Sequence, residues 1–276
     1  LKAYTSGNGK ARASFPYCVR QDMRSGAVTV YCPLLPDGSL PYWRALIEFA
    51  RLSGSEGFPD SCKRANGMAL KRMLHGIVRA TGDRPELLLI NSYGRIRQRD
   101  WWPGISDSGL ESGPLSYGPT GYEEPLGLAG SKLRILRIRS GLNGEIPDWF
   151  TDEVAAGGAD DGTVPNRRDK QGLFKMDGYF LALAPRPGDA QYKWSARGSK
   201  YDSPTAAFCE KTINEYCLLS PGGEAEALAS VKYAEALRGC MVQLYKNDMR
   251  VNLPAPLHLA EQVEEYIWDW ELTGRR

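Results

Sequence analysis

The chain has 276 residues, 42% hydrophobic and 25% charged, which suits one large globular domain or one domain with an N-terminal companion. A formal net charge of +2 does not announce nucleic-acid binding through bulk charge, so any such surface must be local. No apolar run approaches the roughly 20 residues of a membrane-spanning helix, so no membrane partner is expected and the cytoplasm is the default compartment.

The six cysteines (18, 32, 62, 209, 217 and 240) form no C-x-x-C pair and no metal-finger spacing. With no signal peptide evident, they read as reduced core thiols rather than disulfides. The chain opens on Leu1 without Met and with a polar, Gly-rich run, which fits either a fragment of a longer protein or a processed chain.

Residues 1–25 read as loop or frayed terminus, because Ser6-Gly7-Asn8-Gly9-Lys10 buries little. Val28 to Leu34 is a short β-branched strand, ended by Pro36-Asp37-Gly38. Pro41 to Leu52 looks helical, with Trp43, Leu46, Ile47 and Ala50 on one face. Asn66 to Thr81 is a second amphipathic helix, opened by an N-cap residue and closed by Gly82.

Glu86 to Ser92 is the clearest strand; its continuous apolar run suggests a central strand buried on both faces. Residues 106–130 are rich in Gly, Ser and Pro and read as a loop with at most short edge strands. Lys132 to Ser140 is the next strand, carried by Leu133, Ile135, Leu136 and Ile138. Glu145 to Phe150 follows a Gly-rich turn, and residues 156–171 form a long polar connection. Tyr179 to Ala184 and Thr212 to Leu219 are strands, and Glu224 to Cys240 is a helix built on Leu228, Val231, Ala234, Ala236 and Leu237. Strands and helices mix along the chain and end in helices, which favours an α/β sheet covered by helices.

The last helix is the most informative stretch. Leu253-Pro254-Ala255-Pro256 fixes the approach, because each proline locks φ and disfavours a helical residue before it. A helix starts at Pro256, where a missing N–H costs little. Leu257, Ala260, Val263 (or Glu264) and Ile267 then recur at helical spacing, so one face packs on a core. Taken alone, Glu261 is a carboxylate in the first turns, favoured by the helix dipole. His258 and His75 read as satisfied histidines beside apolar faces. No Walker loop, G-x-G-x-x-G or Ser-His-Asp set is present.

This Pro-Ala-Pro run into a final helix resembles the end of the PIWI domain of Argonaute proteins. The variant Leu257-His258-Leu259-Ala260 followed by Glu265-Tyr266-Ile267 is closer still to the prokaryotic PIWI relatives associated with restriction-endonuclease modules. That resemblance implies an α/β, ribonuclease-H-like PIWI domain over residues 85–276, a mixed central sheet with helices on both faces. It is preceded by a small α/β segment, residues 1–84, either a remnant of an adjacent MID-like domain or an extension of the PIWI module.

A ribonuclease-H-like nuclease needs three or four carboxylates around two divalent metals, which activate water and stabilise the leaving oxygen. By the family register Asn91 stands where the first Asp belongs and Ser140, after Leu136-Arg137-Ile138-Arg139, where the second belongs. Glu261 takes the last position, on the helix, and is the one metal ligand of the three if any metal binds. Glu111, Glu123 and Glu124 lie in the loop, and nothing selects one of them as a fourth ligand. An amide and a hydroxyl are weak, neutral ligands for hard cations. The site therefore reads as degenerate, leaning away from an enzyme, with no cofactor expected and Mg²⁺ or Mn²⁺ only if the nuclease is active. Read alone, Asn91 and Ser140 are a strand-end amide and hydroxyl that satisfy turn backbone.

Two basic stretches suit phosphate. Arg95, Arg97 and Arg99 alternate and share a face with Trp101 if extended; guanidinium groups fork onto phosphate and an aromatic stacks a base. Lys193, Trp194, Arg197 and Lys200 interleave cations and an aromatic with Gly198 and Ser199. Arg167, Arg168 and Lys170 read as solvated loop charges. The resemblance also points to a family-marking arginine and glutamate, here Arg238 and Glu215, a strand-to-helix staple; Arg97 competes for the arginine.

The leading expectation is a nuclease-inactive PIWI-like module that binds nucleic acid, a guide RNA or DNA with target DNA, in prokaryotic defence. A helicase and a separate nuclease are the partners that the resemblance implies. The alternatives are an active Mg²⁺- or Mn²⁺-dependent nuclease using a shifted set such as Asp100, Asp148 and Glu261, and a protein–protein interaction module.

Overall fold

A computed structural model describes residues 2–5, 14–55, 63–81, 84–92, 101–111, 115–128, 131–140, 172–176, 178–184, 212–239 and 253–263. In chain order the strands and helices are β1 (Lys2–Thr5), β2 (Ser14–Gln21), β3 (Val28–Tyr31), β4 (Ser39–Pro41), α1 (Tyr42–Ser55), α2 (Lys63–Thr81) and β5 (Glu86–Asn91). There follow α3 (Asp107–Glu111), β6 (Ser116–Tyr117), β7 (Glu124–Pro125), β8 (Leu133–Ser140), β9 (Gly172–Met176), β10 (Tyr179–Ala184), β11 (Thr212–Leu218) and α4 (Glu224–Gly239). A last helix, α5, covers residues 255–263. Two compact units divide the chain: Leu1–Leu136 with Leu219–Pro221 and Pro256–Arg276, and Arg137–Leu218 with Gly222–Ala255.

In the first unit β1, β2, β3 and β4 form an antiparallel meander in that order. The expectation of loop over residues 1–25 is thus corrected. Residues 15–19 are buried throughout, and Phe15, Tyr17 and Val19, every second residue of β2, are the ones that join the core cluster. Pro16, which argues against a strand, pairs with Ala3 beyond it. The turn into β3 is set by Asp22, whose Oδ1 accepts the amides of Arg24 (2.8 Å) and Ser25 (3.0 Å). Gly26 then takes φ +73°, which a side chain resists.

The core over this meander joins Phe15, Tyr17, Val19 and Val30 to Ala45 and Phe49 of α1 and to Ala260 and Val263 of α5. Phe15 stacks on Phe49 with ring centroids 5.7 Å apart. The buried face of α1 is therefore Ala45 and Phe49. Trp43 and Ile47, expected inside, are 59% and 57% exposed. Burial pushes the Cys32 thiol up to about 12, as an apolar site does to a group that ionises to a charge. Cys18, Cys32 and Cys217 are free and buried; the other three cysteines lie outside the described residues.

The segment after β5 contains α3, a helix the sequence did not announce, and two short strands as expected. Trp102 donates its indole N–H to Ser116 O at 2.6 Å, and a Cβ on Gly104 would stand 2.6 Å from that same carbonyl. Only glycine lets the two backbone segments approach so closely. Leu219 N donates to Ile135 O at 2.8 Å, and Ser220 Oγ accepts Ile135 N at 3.2 Å.

Five strands follow the order β5-β8-β11-β10-β9 in a mixed sheet. β5 is buried as expected, from Leu88 to Asn91. It stands at one end of the row of described strands, not at its centre. In the second unit β9, β10 and β11 are antiparallel, with Leu181 between Phe174 and Glu215. Helix α4 packs on β10 and β11 through Val231, Ala234 and Leu237, whereas Ala236, expected inside, is exposed. The stretches 145–150 and 156–171 lie outside the described residues.

Candidate functional site

The second unit buries charge. Arg137 and Arg139 are two apart on β8 and so point to one face. Both are buried, as is Glu215 of β11. Arg137 Nη2 donates to Glu215 Oε1 at 3.0 Å, and Arg139 Nε donates to the same oxygen at 2.7 Å. Arg139 Nη2 donates to Oε2, which completes a two-pronged fork on the carboxylate. The Arg137 guanidinium lies 5.6 Å from the Tyr179 ring centre, over its face. Charges this deep persist only when paired and hydrogen-bonded.

Alternation sends Asn214 and Tyr216 to the other face of β11. The Tyr216 phenol donates to Glu235 of α4, and Asn214 Nδ2 donates to the phenol oxygen at 3.4 Å. Arg238 Nη2 reaches Glu235 Oε2 at 3.2 Å. Burial first, and the Glu235 carboxylate second, hold the Tyr216 phenol well above its ordinary value.

The expected Arg238–Glu215 staple is thus replaced by two separate sets, Glu215 with the β8 arginines and Arg238 with Glu235. The reason is strand parity: residue 215 points away from the face of β11 on which Tyr216 meets Glu235. In the sequence Arg137 and Arg139 stand only as part of the run that leads to Ser140, with no role of their own. The signal was there, since two arginines at i and i+2 within an apolar strand require a buried acid.

Asn91 closes β5 and is buried, and Ser140 closes β8. Glu261 lies in α5 with 38% of its side chain exposed, 3.8 Å from His258 Nδ1. Asn91 and Glu261 belong to the first unit and Ser140 to the second. The chemistry of this donor set does not fit two divalent metals: one carboxylate sets a single negative charge against four positive ones. Among the described residues no three His, Cys, Asp or Glu side chains group to hold a metal ion. Glu124 is engaged by Tyr117, the chief cause of its lowered pKa, and by Lys71 at 3.1 Å. Asp100 and Asp148 lie outside the described residues.

So do Arg95, Arg97, Arg99, Lys193, Trp194, Arg197 and Lys200, with Arg167, Arg168 and Lys170. Trp101 is described and corrected: at 1% exposed it is a core residue, with no face for a base to stack on.

A mixed α/β sheet with helices, ending in a helix clamped by its own N-terminal strands, belongs to the ribonuclease-H-like class. The model of the family described as the RNaseH domain of pPIWI_RE matches residues 1–269, and the chain belongs to that family, a PIWI-like domain. No curated protein and no solved structure matches it. The family's function is nucleic-acid-related. Among the described residues no helix is long and apolar enough to cross a membrane.

Proposed function

We propose that this chain is a nucleic-acid-binding PIWI-like module that recognises a guide–target duplex or foreign DNA in prokaryotic defence and does not itself cleave. One observation carries the reading: an amide, Asn91, and a hydroxyl, Ser140, stand where the family register calls for acids. Binding then falls to cations that fork onto phosphate, Arg95, Arg97 and Arg99 and the run Lys193 to Lys200. Cutting and unwinding fall to a partner nuclease and helicase in the cytoplasm, and no metal is required. Residues 1–84 act as an extension of the PIWI module. Support for that comes from Tyr17, which donates to Ala260 O at 2.7 Å, and Tyr42, which donates to Leu259 O at 2.9 Å.

The test is a titration with labelled single-stranded DNA, single-stranded RNA and an RNA–DNA hybrid, at about 50 and about 200 mM salt. Each arm is run with and without Mn²⁺ and followed by a gel of the nucleic acid. Salt-dependent binding with intact nucleic acid is expected. Mn²⁺-dependent cleavage that disappears in Glu261→Ala overturns inactivity, and absence of binding overturns the whole reading in favour of a protein partner.

A further inference from the structure

Helix α2 is one-signed. Over Lys63–Thr81 it carries Lys63, Arg64, Lys71, Arg72 and Arg79 and no acid, in a chain whose 35 Lys and Arg are nearly balanced by 33 Asp and Glu. Leu70 and Leu74 bury one side of it, and the helix packs on β2. Arg72, His75, Gly76 and Arg79 are all exposed. Spacings of three, four and seven residues put these four on one outward stripe. Arg72 and Arg79 form no ion pair among the described residues. Of the described carboxylates that reach this helix, Glu124 is already held by Lys71 and Tyr117, and Glu86, which accepts from Thr81 at 3.4 Å, is paired with Arg20. A Cβ on Gly76 would meet nothing within 4 Å, so between the two arginines the helix backbone is open to close approach.

We infer that the outer stripe of α2 — Arg72, His75, Gly76 and Arg79 — is a docking surface for the phosphate backbone of a nucleic acid. Charge complementarity selects that occupant: guanidinium groups that form no ion pair among the described residues, on a helix that carries no acid of its own, attract a polyanion and fork onto its phosphates. Two helical turns separate the arginines, about 10.5 Å along the axis, which spans about three phosphates of one strand. Arg79 alone would be explained by the helix dipole at the last turn, but Arg72 sits mid-helix, where the dipole gives no preference. The inference rests on the nucleic-acid reading above and adds a contact surface on the first unit, made of residues other than the cations already named.

The experiment compares the wild-type chain with an Arg72→Ala/Arg79→Ala double variant and an Arg72→Lys/Arg79→Lys double variant. Affinity for a labelled duplex is measured at about 50 and about 200 mM salt. Each phosphate contact adds about 0.9 to the slope of log affinity against log salt. The alanine pair should flatten that slope by about 1.8, so across this fourfold salt range it loses about tenfold less affinity than the wild type. The lysine pair should keep the wild-type slope. Both positions are exposed, and equal thermal melts confirm that the variants fold. Gly76→Glu, which also has room, should weaken binding without lowering the melt. If the wild type binds and the alanine pair shares its slope, the stripe is only a solvated helix face and this inference alone fails. If the wild type binds no nucleic acid, the functional reading and this inference fall together; binding to anionic lipid vesicles instead would assign the stripe to a membrane surface.

Discussion

The two units keep their interiors by different means. The first is closed by an apolar cluster of Phe15, Tyr17, Val19, Val30, Phe49, Ala260 and Val263, whose attraction has no direction. The second holds Arg137, Arg139 and Glu215 fully inside, on one face of its strands, with Tyr216, Glu235 and Arg238 on the other. An apolar core tolerates a rotated side chain. A buried charge set does not: slipping β8 by one residue would turn Leu136 and Ile138 toward Glu215 and strand the arginines. The contrast is between an interior closed by an apolar cluster and one that adds a buried charge set to its apolar contacts.

The contrast breaks most sharply at Glu215. Glu215→Ala should cost about 3–5 kcal/mol, because two buried guanidiniums lose their acid. The urea midpoint measures it, and a shift worth under about 1 kcal/mol would refute the buried set. Arg137→Met/Arg139→Met/Glu215→Leu together should be neutral or stabilising by up to about 4 kcal/mol, because removing the whole set also removes its desolvation cost. A triple variant as weak as Glu215→Ala would mean that the charges stabilise as well as specify.

At Tyr216 the effect is smaller and depends on pH. The folded state holds the phenol proton more tightly than the unfolded chain, where tyrosine titrates near about pH 10. Stability from this group is whole below about pH 10 and falls as pH rises toward the native value, by up to about 1.4 kcal/mol per pH unit. Tyr216→Phe should cost about 1–3 kcal/mol at neutral pH and flatten that alkaline fall. Thermal melts from pH 7 to strongly alkaline buffer decide it, and an equally steep fall in the variant would refute the assignment.

The smallest change is a gain, in the first unit. Gly76→Ala should add about 0.5–1 kcal/mol, because a helix-interior glycine gives way to the best helix former at a site with open space. No change in the melting curve would show that α2 contributes little to the cooperative core.

Much of the frame was legible. β3, β5, β8, β10, β11, α1, α2 and α4 follow from apolar runs or apolar periodicity, and the Pro-Ala-Pro approach marked the start of α5 to within one residue. β1 and β2 were hidden because a Gly-rich opening and Pro16 outweighed the alternation of Phe15, Tyr17 and Val19. The buried face of α1 was misplaced because two arcs of that helix are apolar; its neighbours chose Ala45 and Phe49, which composition cannot do. The partner of Glu215 was missed for a similar reason. A carboxylate's partner is fixed by strand neighbours and parity, and neither is local in sequence. The family, by contrast, was readable from a short run at the last helix.

That last helix has a consequence for synthesis. Tyr17 and the carbonyl it bonds, on Ala260, are 243 positions apart. At about 5–20 residues per second a ribosome takes on the order of tens of seconds to travel that distance. Throughout that interval Phe15, Val19 and Phe49 have been made but lack Ala260 and Val263 to cover them. The meander is therefore a template that waits for its cover, a client for holding chaperones until Ala260 and Val263 have been made. A stop codon just ahead of residue 255 would leave nearly every strand in place and the first unit's core open to aggregation.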